Sequence, residues 1–404
     1  MANTLVTSSI VARETLPILK NMLTFAKFAN RDWQDEYSSN MSRGYAPGQT
    51  ISIRKPPRYT YRAGRVAVPQ STVETTVPLV LQQGGADINF TSLERTVSLS
   101  KLEDKIAAVI APVANEIDRQ GLALAHYSTF NTLNSAGALP TTQIGAIQVL
   151  TAMNQRLDEM GAPIKDGNRY AVINPALNAA MIPGFAGLFN MSERVNGQYK
   201  TGYMQDAFGL HPGMDQNVDV HTNGAATATN INGAGQTGSA ITVVAIAGGT
   251  LTRGTTITLP GVFAVNPQSR TTTGQLMNFV VTADAAAAAT TINISPAIVT
   301  SGAFQNVTAS PTTGAPYVIQ GAASTNYSCN VAFHKDAFTL AMVPMWAPPN
   351  DKGVISVKQV ADDGLAVKVT EFYDGVNDNS IMRIDVLFGW AATYAELSTK
   401  YYTV

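Results

Sequence analysis

Apolar residues recur at Leu102, Ile106, Val109, Val113, Ile117 and Leu124, the three-and-four spacing that lines one face of an α-helix. Ser100 followed by Glu103 has the form of a capping box, which satisfies the free backbone N–H groups of a first turn. The spacing predicts a helix over residues 100–127, about 40 Å long at ~1.5 Å per residue. Pro112 removes one ladder bond, so a bend there or a restart just before it is expected. A helix of that length serves as a spine for the chain on either side.

Upstream, Thr15 caps a segment with Pro17 in its first turn, where the missing N–H costs nothing. Ile18, Leu19, Met22, Leu23 and Phe25 form its apolar face, with Lys20 and Lys27 off it. Such a short helix is marginal in water and must dock on something. Over residues 34–97 the period changes to two, in ISIRK and again in VETTVPLVL. The middle, KPPRYTYRAGRVAVP, cannot occupy a central strand. Two long strands joined by a Pro/Gly-rich tip predict an extended β-loop whose free edges invite another chain.

Downstream, a second amphipathic helix is expected over 142–160 through Ile144, Ile147, Leu150, Leu157 and Met160. Gly161 stands where a C′ residue belongs, with Pro163 two further on. RYAVIN (169–174) reads as a buried strand, followed by the Pro175 turn and a helical segment around 177–189. Residues 203–220 form an irregular run ending in an edge strand.

From about 221 to 329 the composition shifts to Ala, Thr, Gly, Ser and Asn. Alternation in AITVVAIA, TTITLPGVFAV, MNFVVTA and TINISPAIV favours an inserted β-barrel or sandwich over a disordered spacer. The flanks NGAATATNINGAG and TASPTTGAP are turn chemistry. In the last part, 353–360 and 365–373 flank Asp363-Gly364, a tight-hairpin signal. A second loop at 374–379 leads into IMRIDVLFGW, completing a three-stranded meander.

Charge narrows the function. A net charge of −1 argues against a general nucleic-acid or membrane-surface binder, while leaving room for a local patch. Charged residues make up 14%, against about 25% in an ordinary soluble domain, so burial in an assembly is expected. The single Cys329 cannot form an intramolecular disulfide, and nothing requires an oxidising compartment. No apolar run reaches the ~18–20 residues that span a membrane. Arg13 and Glu14 interrupt the stretch that a signal peptide would need, which points to a reducing cytosol.

Enzyme chemistry is sought and not found. There is no GxxxxGK[ST] loop and no GxGxxG fingerprint. His126, His211, His221 and His334 are scattered without metal-ligand spacing. Cys329 lacks a nearby histidine and reads as an inert thiol. Asp362-Asp363 and the Asp374/Asp378 pair lie in turns, where Asp serves the backbone. No catalytic residue, cofactor or metal is expected. One charge feature remains: Arg43, Arg54, Lys55, Arg58, Arg62 and Arg65, interleaved with Tyr45, Tyr59 and Tyr61. Such a run can bind single-stranded nucleic acid by neutralising phosphates and stacking bases. The other reading pairs its charges with acids on a neighbouring subunit, for which Glu103, Asp104, Glu116 and Asp118 of the spine are available. The Pro/Gly tip suits a clasp better than a stacking platform.

This layout resembles the major capsid protein of tailed bacteriophages. It is most similar to the branch from short-tailed enterobacterial phages that carries an extra β-barrel in the apical domain. PGQTISIRKPPRY is similar to the family's entry into its extended loop, and RYAVINPALNAAM to its strand-turn-helix after the second helix. TLTRGTTITLPGVFAVNPQSRTTTGQLMNFVVTA followed by INISPAI resembles the inserted domain, and MRIDVLFGW the closing strand. The resemblance implies an α+β capsid fold with an N-terminal helical arm (1–33) and an extended β-loop (34–97). A peripheral domain with the spine helix and the first part of the apical domain would follow (98–220). An inserted all-β barrel (221–329) and the remainder of both domains (330–404) would complete it.

The arm and loop would lie across neighbouring subunits of an icosahedral shell enclosing phage DNA. The shell would be assembled in the host bacterial cytoplasm with a separate scaffolding protein and a portal complex, without a membrane. The crosslinking Lys/Asn pair of some relatives has no identifiable counterpart here, so non-covalent clasping is expected. The alternatives are a nucleic-acid-binding protein using residues 43–65, and a tail or adhesion β-protein suggested by the Thr/Gly/Ala-rich centre alone. The long spine helix speaks against the latter.

Overall fold

The periodicity described above becomes a mixed α+β structure of long helices with antiparallel and mixed sheets. The computed structural model describes residues 18–19, 22–32, 50–62, 64–67, 69–72, 74–91, 102–185, 207–346, 354–360 and 365–404. Arg43, Tyr45, the Ser100 cap and the Asp363-Gly364 turn lie outside the described residues, as do the side chains of Glu103 and Asp104. The helices named here are α1 (Phe25–Phe28), α2 (Leu102–Ser128), α3 (Gln143–Glu159) and α4 (Pro175–Phe185). No described helix is long and apolar enough to cross a membrane.

Helix α2 is the spine, and it runs through Pro112 without a restart. An interior proline costs about 3 kcal/mol. Ile110, Val113, Ala114 and Ile117 are all buried, and each contributes about 1.5–3 kcal/mol for a large apolar side chain. Packing wins over propensity.

The chain divides into two compact units. The first comprises the described parts of Met1–Ile53, Thr76–Gly121 and Thr339–Ala391. In it, strand Asn379–Ala392 pairs antiparallel with Ala366–Asp374 on one edge and with Gln82–Thr91 in a ten-residue register, Asn379↔Thr91 to Phe388↔Gln82. Val354–Val360 extends the sheet beyond Ala366–Asp374, giving the expected meander. Gly85 lies opposite Asp385, where a Cβ would stand 2.3 Å from the Ile384 carbonyl oxygen. Only glycine lets these strands approach so closely. Strands Thr50–Lys55 and Thr75–Val80 pair as a two-stranded ribbon, the base of the predicted loop. Its inward residues Ile51, Ile53 and Leu79 join Leu81, Ala341, Val343 and Ala391 in one buried cluster.

The N-terminal segment is broken where a continuous helix was expected. Helix α1 is four residues long and ends at Ala29, which is extended. The reason is a cap from another helix: the Asp118 carboxylate of α2 accepts Thr24 N at 2.6 Å and Ala26 N at 2.9 Å.

The second unit comprises Arg54–Thr75, Leu122–Phe338 and Ala392–Val404. Thr142 caps α3 by accepting Gly145 N at 3.1 Å. At the other end Gly161, at φ +80°, donates to Asp158 O, and Ala162 N donates to Leu157 O. That double bond is the Schellman closure the C′ glycine predicts. The buried face of α3 is Ala146, Val149, Leu150, Met153 and Leu157, whereas Ile144 is 68% exposed. Ile144 sits in the first turn, before the helix meets its core. Asn174 Oδ1 accepts Leu177 N at 2.9 Å and starts α4 with Pro175 in its first position. Strand Arg169–Ile173 lies between Asn326–His334 and His211–Met214 in a six-stranded sheet that Ser398–Thr403, Thr132–Leu133 and Val220–Thr222 complete.

Within the stretch read from the sequence as an insertion lies a five-stranded antiparallel sheet. Its order is Val318–Ile319, Thr256–Val265, Thr272–Val281, Thr291–Ile298 and Gly238–Thr242. Of the four predicted runs, AITVVAIA gives only a short edge strand, and its remainder makes isolated bridges at Val243 and Ala247. The core is Ile, Val, Leu and Phe from these strands, joined by Phe130 and Met160 from outside the insertion.

Candidate assembly loop and the buried polar junction

Four of the loop's basic and aromatic residues, Lys55, Arg58, Tyr59 and Arg62, have partners within the chain. The Lys55 ammonium sits 5.2 Å from the centre of the Tyr394 ring. Burial lowers its pKa, against the opposing pull of Glu396 and with a small contribution from Arg58. Arg58 makes an ion pair with Glu396 at 2.7 Å, and its guanidinium lies 5.8 Å from the Phe304 ring centre. The Tyr59 carbonyl accepts a hydrogen bond from Arg270 Nη2 at 3.0 Å, and its hydroxyl pairs with Thr72 at 3.0 Å. Arg62 donates to the carbonyls of Gly64 and Val66. Towards the tip, Gln70 clips Thr60 from both sides, accepting from its N–H and donating to its carbonyl at 2.8 Å each. Tyr61 is 92% exposed and Val66 79%. Arg54 and Arg65 are also exposed.

The acidic set on the spine is less uniform than the sequence reading expected. Glu116 is partly exposed and bonded to Arg119 at 2.7 and 2.8 Å, and to Gln120 at 2.7 Å. The Arg119 hydrogen bond is the main influence lowering its pKa, outweighing a rise from burial. Asp118 is buried and caps α1 within its own chain, so it is not part of an outward acidic face. The position of an acid along a helix cannot reveal whether a distant segment will occupy it.

A second cluster escaped the sequence reading because its members are separated by up to 274 residues. His126 Nδ1, on α2, lies 2.7 Å from Asp219 Oδ2, and the His126 and His221 ring centres are 4.7 Å apart. His221 Nε2 pairs with Thr255 Oγ1 at 3.0 Å. Lys400 is fully buried and donates to the carbonyls of Gly254 at 3.0 Å and His126 at 3.4 Å. Burial drives the pKa of His126 down to about 4, and that of His221 to about 3, the latter helped by His126 itself. Burial also lowers Lys400 to about 8 and pushes the Cys329 thiol up to about 12. Cys329 is thus an inert thiol, as expected. These groups join the body to the insertion: Thr132 Oγ1 to Thr256 Oγ1 at 2.8 Å and Asn278 Nδ2 to Thr132 O at 3.1 Å extend the same seam. No group of three potential metal ligands occurs among the described residues. Asp374 and Asp378 build their turn: Asp374 accepts from Val376 N and Asn377 Nδ2, and Asp378 accepts from the Tyr373 hydroxyl.

The solved structure described as Mycobacterium phage Che8 shares the fold, with a TM-score of 0.51 at 12% identity, over 94% of this chain and 90% of that one. The capsid structure of the cyanophage P-SCSP1u aligns with a TM-score of 0.44 at 10% identity, over 88% of this chain and 84% of that one. No curated protein matches. The class is that of the tailed-phage major capsid protein, a structural component of the virion shell. The family model described as P22 coat protein, gene protein 5, matches residues 92–398, more than half of the chain. The chain belongs to the P22 coat protein family.

Proposed function

We propose that many copies of this chain close into an icosahedral shell around phage DNA, with the loop at 54–75 as a principal clasp between neighbours. The observation that carries this reading is the exposed Tyr61–Val66 tip on a ribbon whose base is buried. A closed shell repeats each modest contact many times, so the assembled state wins by multiplicity. Glu116 on the spine is the acid best placed to meet the loop's cations from an adjacent copy, with Glu103 and Asp104 nearer the start of the same helix. A scaffolding protein and a portal complex are the further partners, DNA is held without sequence preference, and assembly takes place in the host cytoplasm. The chain carries no catalytic activity on this reading.

The domain division at residues 33, 97, 220 and 329 belongs to the same proposal, as does closure of the insertion into a barrel. Support for closure comes from the segment at 229–232, which bonds to both sheet edges. Ile231 N donates to Ala315 O and Tyr317 N to Thr229 O on one side, while Asn232 N donates to Thr242 O and Val244 N to Asn230 O on the other.

Deleting residues 56–65 is expected to leave a folded subunit that assembles poorly. Sedimentation of the purified chain, with electron microscopy of the fast fraction, checks it. Normal shells from the deletion variant would refute the clasp.

A further inference from the structure

Two turns of the insertion reach the extended loop at Arg58 and Tyr59. The first is the 266–271 turn between strands Thr256–Val265 and Thr272–Val281. Asn266 Oδ1 accepts Gln268 N at 2.9 Å and Ser269 N at 3.1 Å, while Arg270 N donates to Asn266 O at 2.9 Å. Asn266 Nδ2 also anchors the turn to the body through Glu159 O at 3.2 Å. Arg270 itself sits at φ +56°, a left-handed backbone that non-glycine residues adopt only where the surroundings hold them. The result is a braced guanidinium whose Nη2 bonds the Tyr59 carbonyl. The second turn carries Phe304 and is held by Asn306, which accepts Val299 N at 3.0 Å and donates to Ala297 O at 2.7 Å. Its ring faces the Arg58 guanidinium.

The loop segment Arg54–Thr75 belongs to the same compact unit as the insertion, not to that of its own ribbon. Among the described residues beyond Tyr59, the tip's bonds run within the tip itself, through Gln70 to Thr60, Tyr59 to Thr72 and Arg62 to two carbonyls. The bond from Arg270 to the Tyr59 carbonyl stands where this self-bonded stretch begins. A groove of about 840 Å³ runs beneath it, lined by Arg58, Arg270, Phe304 and Glu396 among others, so the tip has room to swing if released.

We infer that Arg270 and Phe304 are positioning residues: the insertion sets the angle at which the assembly loop leaves the subunit. The inference rests on the loop being an assembly element, through which the insertion then acts on assembly. A hydrogen bond from a charged donor is worth enough to hold exchange at the acceptor's segment back roughly tenfold.

The test is hydrogen exchange on unassembled full-length subunits. In Arg270→Ala, amides 58–62 are expected to exchange roughly tenfold faster, while those of Thr256–Val265 and Thr272–Val281 keep their rates. Arg270→Lys, which retains a charged donor, should restore most of the protection, and Phe304→Leu should show a smaller loss. In assembly, R270A is expected to give shells of irregular diameter. If R270A destabilises the insertion, the Arg270→Lys and Phe304→Leu pair gives the reading. Unchanged exchange at 58–62 in R270A and F304L overturns the clamp. Faster exchange with normal shells would keep the clamp and instead refute the loop's role in assembly.

Discussion

Between pH 6.5 and pH 4 the unit that contains the insertion is expected to lose on the order of 5 kcal/mol of stability, and most of that loss comes from two histidines. His126 and His221 are 1% and 4% exposed, and burial holds their pKa values at about 4 and about 3 against an ordinary 6.5. For a base whose folded pKa is depressed, the unfolded chain binds the proton first as the pH falls. Stability is therefore full above pH 6.5 and is lost as the pH descends towards the folded values. Each residue alone contributes about 3 kcal/mol at pH 4. Asp219 partly opposes the loss, because a protonated His126 would gain an ion pair at 2.7 Å. The rings at 4.7 Å spacing counter that gain, since two imidazolium ions would face each other beside the Lys400 ammonium. Lys400 adds a separate alkaline signature: with its folded pKa near 8, its contribution becomes more favourable as the pH rises from 8 towards its unfolded value. Denaturant midpoints measured from pH 4 to 8 check the acid limb. His221→Gln, which keeps a partner for Thr255, is expected to flatten it by about half. A midpoint that does not move between pH 6.5 and 4.5 would mean the histidines are not buried as neutral groups.

Asp118→Ala is expected to detach the N-terminal segment from the spine at a cost of about 3 kcal/mol, because two backbone N–H groups lose their acceptor in a buried site. Asp118 accepts from Thr24 at 2.6 Å and from Ala26 at 2.9 Å, acting as the cap that Thr24's own side chain does not provide. Asp118→Asn retains one acceptor oxygen and should cost about half as much. Gly121 offers an independent lesion at the same place. A Cβ there would lie 2.7 Å from ring atoms of Phe25 and Trp390, whose rings pack at 5.2 Å while the Trp390 indole bonds Ile117 O at 3.0 Å. Glycine inside a helix costs about 1 kcal/mol relative to alanine, so its presence makes sense as clearance for those rings. Gly121→Leu is expected to expose Leu19, Leu23 and Phe25 to exchange and proteolysis while α2 stays helical. Protection of residues 22–32 unchanged in both variants would count against this docking.

Local signals carried much of the architecture. The three-and-four spacing of Leu102 to Leu124, the Gly161 cap and the alternation around Thr256–Val265 each report a helix, a stop or a strand from neighbours in the chain. These are short-range effects, so the sequence alone determines them. The loop could also be read, because prolines and glycines between alternating strands leave little else for it to be. The tertiary structure decided what depends on distant residues meeting. It turned Asp118 inward, because a segment ninety-odd residues away brought N–H groups that a carboxylate satisfies better than water does. It carried α2 through Pro112, because apolar burial outweighs one missing bond. It gathered His126, Asp219, His221 and Lys400 into one dry seam, where the absence of water, not any spacing in the chain, sets their proton affinities.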